Sequence, residues 1–392
     1  MSYPIIRLKK GHDRRLRAGH PWIYSNEIVP PEPPLPAGSL VRVRTADGKV
    51  FAVAYYNPHS LIALRVLTRN KDARIGRHFF AVRLERALRL RERLFDRPFY
   101  RLVHGEADGL PGLVVDRYGE HLVVQLNTAG MERLWGPCRE ALDRLLEPKS
   151  ILLRNDSPVR TLEGLGEEVR IELGAPPERV RIEENGLPFL ARPRGGQKTG
   201  WYYDQRLNRA FVRLLARDQE VLDLYCYGGG FALNALHAGA RSALLVDSSA
   251  RALELARDNA RLQGVGERVT VEEGEAFAVA ERLAGERRRF GLVIADPPSF
   301  VKSRAKLATG LRAYRRLAER CARLVAEGGA LCLSCCSHNV TPEDFRREIL
   351  IGIRNAGRGA RQLAFAGAGP DHPVHPVLAE TAYLKFFAFV LD

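Results

Sequence analysis

Two adjacent thiols, Cys335 and Cys336, sit in the stretch Ser334-Cys-Cys-Ser-His338, directly behind the apolar run Ala330-Leu-Cys-Leu333. Successive residues of a strand point to opposite faces, so at most one thiol of the pair faces a given cleft. Earlier in the chain, Gly291-Leu-Val-Ile-Ala-Asp296 runs into Pro297-Pro298-Ser299-Phe300. The prolines stiffen the loop behind the carboxylate and remove two backbone donors. The plain reading of such a loop is a rigid surface turn. The chemical reading is a carboxylate, with carbonyls standing free, aimed at the Watson–Crick edge of a base lifted out of its stack.

Carbon 5 of cytosine or uracil is a poor nucleophile. A thiolate adding to C6 makes C5 enamine-like and able to attack an electrophilic methyl group, which is covalent catalysis. Asp296 would hydrogen-bond or protonate cytosine N3 while the thiolate adds. If strand residues alternate, Leu331, Leu333 and Cys335 share one side and Cys332, Ser334 and Cys336 the other. Parity alone does not choose between the thiols. A reactive thiolate must be partly exposed, and the strand tip favours Cys336. His338 reads as a structural loop histidine, and the sequence does not name the base that strips the C5 proton.

A second group of residues points to a cofactor. Val221-Leu-Asp-Leu-Tyr-Cys-Tyr-Gly-Gly-Gly-Phe231 reads as a strand ending in a glycine cluster that opens a helix. Glycines permit close backbone approach to a ligand at a helix N-terminus. Asp223, Tyr225, Gly228 and Gly230 are the candidate contacts here. The following strand, Ala243-Leu-Leu-Val246, ends in Asp247, where open α/β sheets hydrogen-bond ribose hydroxyls. Asp247-Ser248-Ser249 could equally cap the next helix. The third strand leads into Glu272-Glu-Gly-Glu275, an acid placed to accept from an adenine amino group. Gly228, Gly229 and Gly230 are contiguous and lack the GxGxxG spacing for a pyrophosphate. That favours S-adenosylmethionine over a nicotinamide dinucleotide.

These residues need a scaffold. From about residue 200, apolar strand candidates recur at 220–225, 242–246, 268–272, 291–295, 329–335, 361–366 and 383–391, with helices such as Ala250–Gln263 and Leu311–Ala326 between them. Such alternation predicts a mostly parallel, doubly wound sheet of seven strands. Upstream, strand-like pieces at 40–44, 50–56 and 61–67 form a small β-rich unit, and a helix follows over about 79–95. Strands at 112–116, 121–126 and 150–154 around a helix at 130–146 indicate a second, α+β domain. The expected domains are therefore 1–72, 73–190 and 191–392.

The chain has 392 residues, 45% of them hydrophobic and 27% charged, with a formal net charge of +15. Those numbers describe a globular protein with room for several cores and a polyanionic partner, nucleic acid before others. The six cysteines fit no zinc spacing, so no metal is expected. The N-terminus lacks an apolar signal segment and no stretch is long enough to span a membrane, so the expected location is the cytoplasm. In the basic N-terminal unit, Arg15, Arg17, His20 and Trp22 could contact RNA, or Trp22 could belong to the core.

Several stretches together carry a family resemblance: GHPWIYSNEI (19–28), RLVHGEADGLPGLVVDRYG (101–119), RNDSPVR (154–160), GQKTGWYYDQRLNR (196–209), DLYCYGGGFAL (223–233), DPPSF (296–300), CSH (336–338) and HPVHPVLAETAYLK (372–385). Nearly end to end, the chain resembles the bacterial 23S ribosomal RNA cytosine-C5 methyltransferases of the RlmI and RlmO type. The resemblance implies an N-terminal PUA domain, a central α+β domain and a class I Rossmann-like methyltransferase domain. It also implies a homodimer acting on 23S ribosomal RNA or a large-subunit assembly intermediate. The family's nucleophile precedes a serine and so matches Cys336. Lys198, Thr199, Asp204, Gln205 and Arg206 match its cofactor-side elements, and Glu275 stands where an aspartate is more usual. Two other readings compete: methylation of a base amino group, which needs no cysteine, and a non-catalytic RNA-binding assembly factor.

Overall fold

The computed structural model of the chain describes residues 3–196 and 199–392. The chain divides into two compact units. The first holds residues 1–180, 192–201 and 370–381, and the second holds 181–191, 202–369 and 382–392.

The first unit contains two five-stranded sheets. The N-terminal sheet runs in the order Ile5–Arg7, Ser39–Arg44, Val50–Tyr56, Leu64–Thr68, Trp22–Ile23. Its alternating residues close a small core around Ile6, Val41, Val43, Ala52 and Leu64. The other sheet is built from Phe99–His104, Leu113–Tyr118, His121–Leu126, Ser150–Asn155 and Glu168–Gly174, and helices Arg77–Leu94 and Trp135–Leu146 pack on it. The helix expected over 130–146 is two, Ala129–Arg133 and Trp135–Leu146. Thr128 caps the first of them by accepting from Met131 N.

Arg15, Arg17, His20 and Trp22 all take part in this unit's own contacts. Trp22 is half-buried, its indole N–H donates to Glu106 at 2.7 Å, and the Arg65 guanidinium lies over its ring at 5.1 Å. Arg15 donates to Glu27 at 2.8 Å and Arg17 to Asp13 at 2.6 Å.

The second unit is an α/β domain. Its strands are β1 (Glu220–Leu224), β2 (Ser242–Asp247), β3 (Val269–Glu273), β4 (Phe290–Ala295), β5 (Val325–Cys335), β6 (Ala360–Ala366) and β7 (Lys385–Leu391). They lie in the order β3-β2-β1-β4-β5-β7-β6. The first five are parallel, and β7 runs antiparallel between β5 and β6. Five helices are used below: α1 (Gly230–His237), α2 (Ala250–Leu262), α3 (Ala276–Gly285), α4 (Leu307–Leu324) and α5 (Pro342–Asn355). Helices cover both faces, so central strands such as Leu222, Leu224, Val293 and Leu331 are wholly buried. Each such side chain stabilises the fold by about 1.5–3 kcal/mol. The strand order reverses between β1 and β4, and ligands of open α/β sheets bind outside the strand C-termini at that point.

A hairpin absent from the sequence reading precedes the sheet. Val180–Glu184 pairs with Leu187–Ala191 through Asn185-Gly186, both at positive φ (55° and 75°). Leu190 N donates to Asn259 of α2 at 2.6 Å, and Arg181–Ala191 belongs to the second unit. No helix among the described residues is long and apolar enough to cross a membrane.

Candidate active site

The loop after β1 is the most contorted segment of the domain. Tyr225 (φ 63°), Tyr227 (φ 49°) and Gly229 (φ 78°) all occupy the left-handed region. A non-glycine residue there costs about 1–3 kcal/mol and persists where the surroundings enforce it, commonly at ligand sites. The enforcement comes from β2 and α2. Asp247 accepts from Tyr227 N at 3.0 Å and from Ser249 N at 3.0 Å, and Asn259 of α2 donates to Gly228 O at 2.9 Å. Ser249, rather than Asp247, caps α2 through Ala252 N. Gly230 starts α1, and a Cβ there would meet Arg209 Cδ at 2.8 Å.

Asp223 lies beneath this loop, fully buried. Its Oδ2 accepts from Ala232 N at 3.1 Å, while its buried Oδ1 has no hydrogen-bond partner among the described residues. Burial pushes its carboxyl up to about 8, against the Ala232 N–H, and the nearby Asp296 and Asp247 add to the rise. Leaving a buried polar atom unsatisfied is costly, and it is a good reason to expect a ligand that completes the site.

Glu275 is exposed and caps α3, accepting from Ala278 N at 2.9 Å. Of the elements before β1, Asp204 accepts from Tyr383 Oη at 2.6 Å, and Gln205 donates to Ser334 Oγ of β5 at 3.2 Å. Asn208 fixes the Gln205 amide from the other end at 2.6 Å. Arg206 is turned towards the hairpin, 3.6 Å from Glu184, with its guanidinium 5.3 Å from the Tyr203 ring centroid. Thr199 belongs to the first unit, where its hydroxyl donates to Asp116 and its carbonyl accepts from Tyr118 Oη at 3.1 Å. Lys198 lies outside the described residues.

The other half of the site lies at the ends of β4 and β5. Ala295 pairs with Leu333, so Asp296 and the Cys335-Cys336 pair leave neighbouring strands at the same end of the sheet. Cys335 is fully buried among Leu331, Leu333 and Tyr314 in the core, and burial raises its thiol although the Tyr314 hydroxyl bonds to it. Cys336 is half-buried, just past the strand tip. The loop behind Asp296 is tied to it: Ser337 Oγ donates to Val301 O at 2.8 Å, and Phe300 N donates to Tyr314 Oη at 3.4 Å. Thr341 caps α5 ahead of Pro342, which ends the Cys336 loop.

Sequence reasoning missed Tyr202. Its ring packs edge-on against Tyr227 with centroids 5.2 Å apart. Its hydroxyl is held neutral by burial and by the nearby Tyr227, Asp296, Asp204 and Cys336. Tyr202 therefore touches electrostatically both halves of the site. The signal was the Trp201-Tyr-Tyr-Asp204 run, whose aromatics stand directly before the expected cofactor-side acid.

Residues 168–390 match the S-adenosylmethionine-dependent methyltransferase family, and residues 6–69 match the PUA-like domain. Curated proteins named ribosomal RNA large subunit methyltransferase I are 36% identical: the one from Tolumonas auensis over 97% of each chain, and that from Vibrio cholerae over 98% of each. The chain belongs to the ribosomal RNA large subunit methyltransferase I family. Two solved methyltransferases share its fold: one from Streptococcus mutans (TM-score 0.84, 19% identity, 99% of this chain and 100% of that one) and one complexed with SAH (TM-score 0.85, 19% identity, all of both chains). At that identity they establish the fold alone.

For this methyltransferase I family member, the cofactor is S-adenosylmethionine. The β1–β4 switch point fits it. The unsatisfied Asp223 Oδ1, the left-handed loop and the Asp247 carboxylate bring polar groups together at the strand C-termini, and the contiguous glycines offer no pyrophosphate spacing.

Proposed function

We propose that the protein methylates C5 of a cytidine in 23S ribosomal RNA, with Cys336 as the nucleophile. The observation that carries this reading is the division of labour within Ser334–His338: Cys335 is sealed in the core, while Cys336 is half-exposed at the strand tip beside the Asp296 loop. A base-amino methyltransferase has no use for a thiol at that place.

The residues act in sequence. The Cys336 thiolate adds to C6 of a cytosine taken out of its stack, forming a sulfur–carbon bond and an enamine-like C5. Asp296 hydrogen-bonds or protonates N3, so that charge does not build up on the ring. Bound S-adenosylmethionine supplies an electrophilic methyl group, held by Asp223, Asp247 and the Tyr225–Gly230 loop. Transfer leaves the cofactor as its thioether; the C5 proton then passes to water, its C–H pair re-forms the C5–C6 double bond as Cys336 departs as thiolate, and N3 gives back any proton it took. Tyr202, kept neutral, adds no negative charge to the site.

Three observations support ribosomal RNA as the substrate class. The curated relatives are named for it, the PUA-like domain matches at residues 6–69, and the chain carries a net charge of +15. In this reading the enzyme is a cytoplasmic homodimer, which analytical ultracentrifugation checks directly.

The test is methyl transfer from labelled S-adenosylmethionine to unmodified 23S RNA and to large-subunit particles, followed by digestion to nucleosides. Label in 5-methylcytidine supports the reading. Label in N6-methyladenosine or N2-methylguanosine overturns it, as does cofactor binding with no turnover on any form of the RNA.

A further inference from the structure

A lysine buried in a strand needs an explanation, because its ammonium normally reaches water. Lys385 opens β7 and is 2% exposed. It lies directly opposite Cys335 in the antiparallel β5–β7 ladder. Its Nζ donates to Ser337 O and, at 2.9 Å, to Tyr383 O. Ser337 is the residue next to Cys336, so the ammonium grips the backbone immediately behind that thiol. Tyr383 in turn donates to Asp204, so the grip is braced from the far side.

We propose that Lys385 is a positioning residue that fixes the Cys336 loop and lends its positive charge to the Cys336 thiolate. The inference rests on the reading of Cys336 as nucleophile. The charged and titratable groups around the pair come from several neighbouring elements: Cys335 on β5 and Cys336 just past it, Asp296 after β4, Tyr314 on α4, Tyr202 before β1, and Lys385 on β7. Burial and Asp296 disfavour a thiolate at Cys335, and the Tyr314 hydroxyl, which bonds to that sulfur, favours one. Lys385 favours one too. Burial lowers its own affinity for the proton, and the Cys335 and Cys336 sulfurs raise it again. The same attraction, seen from the sulfur, favours the thiolate.

A purely structural lysine would satisfy the two carbonyls and nothing more. Alkylation separates the cases. The rate of iodoacetamide reaction at Cys336, read by mass spectrometry of the full-length protein's peptides across pH, gives the thiol's midpoint. In the wild type we expect a midpoint below the ordinary thiol value of about 8.5. Lys385→Gln keeps an N–H donor without the charge, and its midpoint should rise by roughly one unit. Lys385→Arg should hold the wild-type midpoint, and kcat should fall about tenfold or more in Lys385→Gln with KM for RNA unchanged. A wild-type midpoint at or above 8.5 overturns the proposal without any variant. So does a folded Lys385→Gln protein whose midpoint matches the wild type. Failure of the nucleophile reading looks different: Cys336→Ala would then retain methyl transfer whatever the alkylation profile shows.

Discussion

The Ser337 hydroxyl donates to the Val301 carbonyl at 2.8 Å, and this bond joins the Cys336 loop to the Asp-Pro-Pro-Ser-Phe loop. Val301 O also accepts from Ser299 Oγ at 3.1 Å, so removing Ser337 does not orphan the acceptor. Ser337→Ala should therefore cost only about 1 kcal/mol of stability. In the proposed mechanism its larger effect should be on rate, because the Cys336 and Asp296 loops lose their common register. We expect kcat to fall several-fold while SAH affinity, measured by calorimetry, stays at the wild-type value.

Asp247 holds the glycine loop rather than the next helix. Its carboxylate accepts from Tyr227 N and Ser249 N, and hydrogen bonds to a charged acceptor are worth about 1.5–3 kcal/mol each. Asp247→Ala releases Tyr227 from its left-handed conformation. SAH binding should weaken by at least about tenfold, a loss of about 1.4 kcal/mol. Equal affinity in the variant would mean that the loop is held by other contacts.

Asp223 predicts a pH dependence. Its carboxyl is raised from 3.8 to about 8 by burial. Below the unfolded value, both states carry the proton and the side chain costs nothing. As pH rises through the interval from about 4 to about 8, the unfolded chain ionises while the folded one resists, so stability falls across that window. Asp223→Asn keeps the shape and the acceptor for Ala232 N but cannot ionise. The Tm of the variant minus that of the wild type should be more positive at pH 8 than at pH 5. A difference independent of pH would remove the raised carboxyl from the account.

Gly230 has no room for a side chain. A Cβ would lie 2.8 Å from Arg209 Cδ, and Arg209 is fixed by a bidentate pair with the buried Glu184 at 2.6 and 2.9 Å. Gly230→Ala should cost about 1–3 kcal/mol, the range for forced overpacking, and lower Tm by several degrees. An unchanged Tm would show that Arg209 yields freely.

Much of this domain is legible in its sequence because a doubly wound sheet writes its strands as continuous apolar runs. Phe290–Ala295 and Ala330–Leu333 are examples, and the observed strands fall within a few residues of the expected ones. The places of Asp247 at the end of β2 and Asp296 just past β4 were legible for a related reason: each follows directly on an apolar run. The hairpin at 180–191 left a usable signal, Asn185-Gly186 between alternating residues, since both turn positions need positive φ. Glu275 shows the ambiguity of an acid at a helix start, because the same residue type suits a ligand contact and an N-cap. Lys385 closes the resembling stretch 372–385 and lies in the expected strand 383–391, but its burial was not legible. A lysine at the head of an apolar run reads as an exposed strand end, and only the pairing with Cys335 reveals it as buried.

The two thiols also separate by role. Cys335 packs in the core at 0% exposure, so Cys335→Ala should lower stability by about 1 kcal/mol and leave methyl transfer in place. The measurement that tests the central claim most directly is covalent capture. A 23S transcript containing 5-fluorocytidine cannot release its C5 substituent as a proton, so the sulfur–C6 bond should persist. With S-adenosylmethionine present, the account predicts a denaturation-resistant protein–RNA complex for the wild type and for Cys335→Ala, and none for Cys336→Ala. A complex formed by Cys336→Ala, or its absence from a wild-type enzyme that makes 5-methylcytidine, would contradict it.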